Sequence, residues 1–136
     1  MKKIMMGVLG AGLLAAVLTP SASAVPAYVP GEDAHIQLTV ARPLPDGVQE
    51  IGFIWLDCPG PEAGGHPHGR QACRDLDAAR GDFGRLRGER GRSCTAEHAP
   101  VTVTAHGTYR GRAVHWERTY GNECLLTVET GPVFAF

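Results

Sequence analysis

A chain of 136 residues leaves room for one compact domain and little else. Its 13 basic and 14 acidic residues give a net charge of −1, so it has no global attraction for nucleic acid. Four cysteines, an even number, suggest two disulfide crosslinks if the chain is exported.

The first residues have the pattern of an export leader. Lys2 and Lys3 form a basic start, Ile4 to Leu18 is almost wholly apolar or glycine, and Ala22-Ser23-Ala24 closes the segment as an A-x-A site. The apolar run falls short of the roughly 20 residues a spanning helix needs, and Pro20 ends it. Residues 1–24 are therefore expected as a cleaved signal peptide, and 25–136 as one secreted domain with no membrane association. That domain holds 11 arginines, no lysine and 14 acids, a formal charge of −3. The arginines cluster between Arg85 and Arg92, but glycines interrupt the run, which reads as a solvated loop.

Val25 to Asp33 is proline-rich and expected as a mobile arm. Residues 35–40 (HIQLTV) read as a strand, and Ala41 to Gly47, with two prolines and a glycine, as a loop. Residues 48–57 read as a second strand with Ile51, Phe53 and Trp55 on one face and Ile54 and Leu56 on the other. Both faces are apolar, so both are expected to be covered. From Gly69 the spacing of Ala72, Cys73, Leu76 and Ala79 turns helical, with Gly81 as its stop. After Pro100 the alternation of Val101, Val103 and Ala105 predicts a strand. Tyr109 to Tyr120 predicts one or two more, with Val114 and Trp116 facing inward. Asn122 to Glu129 fits either a short helix capped by Asn122 or a strand. Val133 to Phe136 reads as a final apolar strand. About five strands and one or two short helices predict an α+β domain on an antiparallel sheet.

The chemistry of the residues argues against an enzyme. The exported part has one serine, Ser93, without a G-x-S-x-G elbow around it. Asp75 and Asp77 lie two apart on the predicted helix and do not share a face, so they read as surface charges. His66 and His68 lie between Cys58 and Cys73 at a spacing that fits no zinc pattern, and read as polar loop residues. His35, His98, His106 and His115 are scattered and read as packing or surface residues. No metal and no cofactor is expected. Cys58, Cys73, Cys94 and Cys124 allow three disulfide pairings. The sequential pairing makes two separate loops and needs no threading.

One segment suits a binding role. Arg92-Ser93-Cys94-Thr95-Ala96-Glu97-His98-Ala99-Pro100 is polar, contains no glycine, carries a cysteine and leads into a strand. A loop pinned at one end by a crosslink and at the other by a sheet is rigid and exposed. Such a loop binds in extended form at low entropic cost because it is preorganised.

Several motifs carry a resemblance across essentially the whole exported region. They are Cys58-Pro59-Gly60-Pro61 with Gly65-His66-Pro67 and Ala72-Cys73, then Cys94 followed by Pro100-Val101. Gly111-Arg112, Val114, Glu117-Arg118 and Asn122-Glu123-Cys124 continue it, and Val133-Phe134-Ala135-Phe136 completes it. With these the chain resembles the Streptomyces subtilisin inhibitor family. The resemblance implies a five-stranded antiparallel sheet with two short helices, disulfides Cys58–Cys73 and Cys94–Cys124, and a homodimer built through the sheet. It also implies a secreted inhibitor of subtilisin-like serine proteases that acts as a slowly cleaved substrate. The implied reactive bond is Ala96–Glu97, with Ser93, Cys94, Thr95 and His98 around it. Asn122, the sole asparagine, would lie beside this loop through the Cys94–Cys124 bond and could bond its carbonyls or cap a helix. The chain departs from the family pattern at Thr95, where proline is frequent, at Ser93, where a larger apolar residue suits a subtilisin subsite, and at Glu97. Gln37 is polar on a strand where apolar dimer contacts are expected. A non-inhibitory secreted module that binds another protein is the alternative these departures leave.

Overall fold

The computed structural model describes residues 33–59 and 65–136. The predicted leader, most of the predicted arm, and residues 60–64 of the glycine-rich loop lie outside the described residues. Four strands form one antiparallel sheet: β1 (Ala34–Pro43), β2 (Gln49–Cys58), β3 (Val101–Tyr109) and β4 (Arg112–Tyr120). Their order is β2-β1-β3-β4, which puts β1 and β3 in the centre. Helix α1 (Gly69–Ala78) follows β2, and helix α2 (Glu123–Thr130) follows β4.

The alternation in β1 and β3 decides which face is the core. Ile36, Leu38 and Val40 of β1 and Val103 and Ala105 of β3 have no exposed surface. Leu56 of β2, Ala72 and Leu76 of α1, Leu126 of α2 and Val133 join the same core. Each buried valine, leucine or isoleucine side chain among these contributes roughly 1.5–3 kcal/mol by leaving water. Phe83, Trp116 and Phe134 pack together at ring-centroid distances of 5.5, 5.9 and 6.1 Å and close the β4 side. Val114 and Trp116 do face inward, half-buried against the core.

The sheet has four strands, not five. The segment 109–120 is the end of β3, a two-residue turn at Arg110-Gly111, and β4. Both turn residues have positive φ, +47° and +75°, the backbone of a tight hairpin turn. The predicted C-terminal strand is instead a 3₁₀ turn over Gly131–Phe134. Pro132 stands near the start of that turn, where its missing N–H costs nothing. Val133 and Phe134 are both buried, which an alternating strand at a sheet surface does not achieve.

Helix α1 begins at Gly69 as its spacing predicts, and ends one residue earlier than a glycine stop requires. Arg80 takes the left-handed conformation at φ +57°, and Gly81 donates back to the Leu76 carbonyl at 2.9 Å. With the Arg80 N–H bonded to the Asp77 carbonyl, this is a Schellman ending. Cys58–Cys73 ties α1 to the end of β2 across 15 residues.

The second face of β2 is not covered. Ile51, Phe53 and Trp55 are 60%, 64% and 37% exposed, with the His35 ring stacked on Trp55. The two-faced apolar pattern therefore marks a buried face and an open one.

Candidate functional site

Between Leu86 and Pro100 the chain runs without regular structure from the aromatic cluster to the start of β3. Gly88 allows this path to pass over α2, since a Cβ there would meet the Val128 carbonyl oxygen at 2.2 Å. Ser93, Thr95, Ala96, Glu97 and His98 are then all exposed, and Cys94 is half-buried.

This exposed loop is fixed at four points to a single short segment. Cys94 is crosslinked to Cys124, 30 positions further along the chain. Asn122 Nδ2 donates to the Thr95 carbonyl at 3.1 Å and to the Glu97 carbonyl at 2.8 Å. The Ala99 N–H donates to the Gly121 carbonyl at 2.9 Å. All four anchors lie in residues 121–124, where β4 turns into α2.

The same Asn122 caps α2. Its Oδ1 accepts from the Leu125 N–H at 2.9 Å, and its extended backbone (φ −166°) suits the position before a helix. Glu123 in the first turn favours the helix dipole, and its carboxylate pairs with Arg42 Nε from the end of β1. Asn122 is buried with both ends of its amide engaged. Beneath the loop, a groove of about 390 Å³ runs between Arg42, Leu44, Thr95, Glu97 and Asn122.

The sequence-predicted residues Ser93 to His98, Asn122 and the Cys94–Cys124 crosslink therefore come together as one unit, while Cys58–Cys73 lies apart from it at α1 and β2. The cap and the carbonyl bonds of Asn122 are alternatives on sequence grounds; in the structure the side chain makes both. The Ala99–Gly121 bond is invisible in the sequence, because a backbone contact between a loop and a strand end leaves no trace in residue type.

The remaining candidates lie elsewhere. His66 is buried, not a loop-surface group: Nε2 donates to the Val133 carbonyl at 2.9 Å and Nδ1 accepts from the His68 N–H at 3.0 Å. Burial pushes its pKa below the ordinary histidine value, the bond to Val133 works against that, and nearby His68 adds to the lowering. Asp75 accepts from Gln71 and Asp77 from the Tyr109 hydroxyl, at 2.7 Å each. Burial, with this bond to Asp77, raises the Tyr109 pKa. His35 pairs with Asp57 and stacks on Trp55 at 4.3 Å. Gln37 sits on the open face of β1, opposite Trp55 and His106. Among the described residues no three His, Cys, Asp or Glu side chains form a metal-sized group, and no helix is long and apolar enough to cross a membrane.

Comparison with known proteins gives a consistent result. The family model described as subtilisin inhibitor-like matches residues 33–122. Subtilisin inhibitor-like protein 5 of Streptomyces fradiae is 43% identical over 83 residues, covering 61% of this chain and 78% of that protein. A trypsin inhibitor of Streptomyces longisporus is 33% identical over 123 residues, covering 90% of this chain and 83% of the relative. Among solved structures, Streptomyces caespitosus sermetstatin in complex with Bacillus licheniformis subtilisin is similar at a TM-score of 0.61 and 31% identity. That match covers 76% of this chain and 98% of sermetstatin.

Proposed function

Because this chain belongs to the subtilisin inhibitor-like family, we propose that it inhibits subtilisin-like serine endopeptidases by presenting residues 93–98 as a slowly cleaved substrate. The proposed reactive bond is Ala96–Glu97. One observation carries this reading: Asn122 holds the carbonyls of Thr95 and Glu97, one on each side of that bond.

The mechanism follows from where the anchors lie. A serine protease that attacks the Ala96 carbonyl forms an acyl-enzyme and frees the amine of Glu97. On the acyl side, Cys94 is held by Cys124 and Thr95 by Asn122. On the leaving side, Glu97 is held by Asn122 and Ala99 by Gly121. Both new ends thus stay fixed to residues 121–124, close to one another. Religation competes with hydrolysis because the amine is kept at high effective concentration. Binding is also tight for its area, since the loop loses little freedom on docking. The chain acts as an inhibitor and carries no catalytic role.

The test is a titration of purified protein against subtilisin, pancreatic elastase and trypsin. Stoichiometric loss of subtilisin activity is expected, with much weaker action on trypsin, because Ala96 brings no charge to its pocket. Full subtilisin activity at excess protein would overturn the proposal. It would favour the non-inhibitory binding module that Ser93 and Glu97 leave open.

Two further features belong to this reading. The leader at residues 1–24 directs export, and both disulfides suit an oxidising compartment outside the cell. A second copy of the chain covers Ile51, Phe53 and Trp55 on the open face, giving a homodimer through the sheet. The exposure of three large apolar side chains in one row of β2 supports that assembly.

A further inference from the structure

His106 and His115 are direct partners across the β3–β4 ladder. Their ring centroids lie 4.2 Å apart with the rings at 89°. The two-residue turn at Arg110-Gly111 fixes this register, since Tyr109 pairs with Arg112 on either side of it. Counted outward from that closing pair, bonded and non-bonded pairs alternate, and His106 and His115 fall at a non-bonded pair. There opposing side chains come closest, with Cβ atoms about 4.5–5.5 Å apart.

Both side chains point to the open face, away from Ala105 and Trp116. His115 is exposed and His106 half-buried, so solvent ions reach them. Two of the other histidines are occupied: His66 uses both ring nitrogens within the fold, and His35 is bound to Asp57. The backbones of His106 and His115 belong to the β1–β3 and β3–β4 ladders, and among the described residues neither ring makes a hydrogen bond. The open face of β3 and β4 carries no arginine, and Glu117 adds a negative charge two residues from His115. Gln37 of β1 faces His106 from the other side.

We propose that His106 and His115 form a two-histidine chelate for a divalent transition-metal cation, of which zinc is the working case. Imidazole nitrogen suits zinc, copper and nickel. Two nitrogens each about 2.0–2.1 Å from one ion need to stand close together, and a rigid non-bonded strand pair presents them so. Side-chain rotation converts the edge-to-face contact into a shared ligand point. Only two protein donors are present, so the other positions stay open to water or to a donor from another molecule. The site lies two strands from the apolar row of β2, and it does not involve the loop at 93–98.

The experiment is calorimetric titration of untagged protein with zinc chloride at pH 7.5, repeated for H106A, H115A and H68A. One zinc equivalent with micromolar affinity is expected for the unaltered chain and for H68A. H106A and H115A should each bind at least about tenfold more weakly, as expected when a ligand is removed, given the 10–100-fold cost of altering even outer partners. Melting temperature without metal reports that each variant is folded. Undiminished zinc binding in both H106A and H115A, or no saturable binding in the unaltered chain, would overturn the site.

Discussion

Asn122 donates a hydrogen bond to the Glu97 carbonyl at 2.8 Å, although 25 residues of chain separate them. The same side chain caps α2 through the Leu125 N–H. Loop support and helix stability are therefore coupled in one amide, and substitutions must separate them.

Asn122→Ala removes both contributions. Loop hydrolysis by bound subtilisin should rise roughly ten- to thirtyfold, since two net hydrogen bonds of about 1 kcal/mol each are lost. Loss of the cap should also lower stability by about 1 kcal/mol. Asn122→Asp keeps the oxygen that accepts from Leu125 and loses both donors to the loop. Its hydrolysis should accelerate like that of Asn122→Ala while its melting temperature stays near the unaltered value. Equal melting losses in the two variants would show that the cap role is misassigned.

The two disulfides should separate in the same assay. Removing Cys94–Cys124 by double serine substitution takes away the anchor on the acyl side. The loop should then be cut quickly, and stability should fall by up to roughly 4 kcal/mol in the chain-entropy model. Removing Cys58–Cys73, which ties α1 to β2, should cost roughly 3 kcal/mol and leave the hydrolysis rate nearly unchanged. Rapid cleavage in both variants would mean that general loosening, not the local anchor, controls the loop.

Some of this architecture is legible in the chain and some is not, for physical reasons. Ile36, Leu38 and Val40 and the matching Val101, Val103 and Ala105 identify strands because a period of two has few rival readings. Ala72, Cys73 and Leu76 identify α1 for the same reason at helical spacing. Val133 to Phe136 is too short to have a period, so a buried 3₁₀ turn reads as a strand. The loop at 93–98 is legible through its cysteine and through family resemblance, while its bond from Ala99 to Gly121 is backbone only. The His106–His115 pair is hidden because it depends on a register set at Arg110-Gly111, and a segment read as one or two strands fixes no register.

His66 predicts a pH dependence of stability. Its folded-state pKa is lowered, chiefly by burial, against an ordinary value of 6.5. Above about pH 6.5 both folded and unfolded states hold a neutral ring, and its contribution is fully present. As pH falls below that value, the unfolded chain binds a proton that the folded chain resists, so stability declines until the lowered pKa is passed. Melting temperature should drop between pH 7.5 and pH 5.5. His66→Gln, whose amide can still donate to Val133, should show a smaller drop. An identical drop in the variant would assign the effect to other groups.

Phe53 is 64% exposed in the open row of β2 and tests the assembly. Light scattering at micromolar concentration should give twice the chain mass for the unaltered protein. Phe53→Asp places a charge in the row and should give the monomer mass with little change in melting temperature. A monomer in the unaltered protein would show that the open row of β2 is not an interface between copies of the chain.

The position of Ala96 makes the sharpest test of the loop. Cys94, Thr95 and Ala96 stand on the acyl side of the proposed bond, and Glu97 and His98 on the leaving side. Ala96 would enter the main specificity pocket of the protease, where a methyl group fills little space and carries no charge. Its side chain is exposed, so enlarging it disturbs no packing within the inhibitor. Ala96→Lys should therefore gain affinity for trypsin while keeping the fold. The ammonium gains a charge-assisted hydrogen bond in the acidic pocket, worth about 1.5–3 kcal/mol or roughly ten- to hundredfold in the inhibition constant. Prolonged incubation of the unaltered protein with subtilisin should also yield a new N-terminus at Glu97, readable by mass spectrometry of the cut chain under reducing conditions. A cut mapped to another bond, or a lysine variant with no gain against trypsin, would move the reactive position away from Ala96 and leave the anchors at residues 121–124 without the role argued for them.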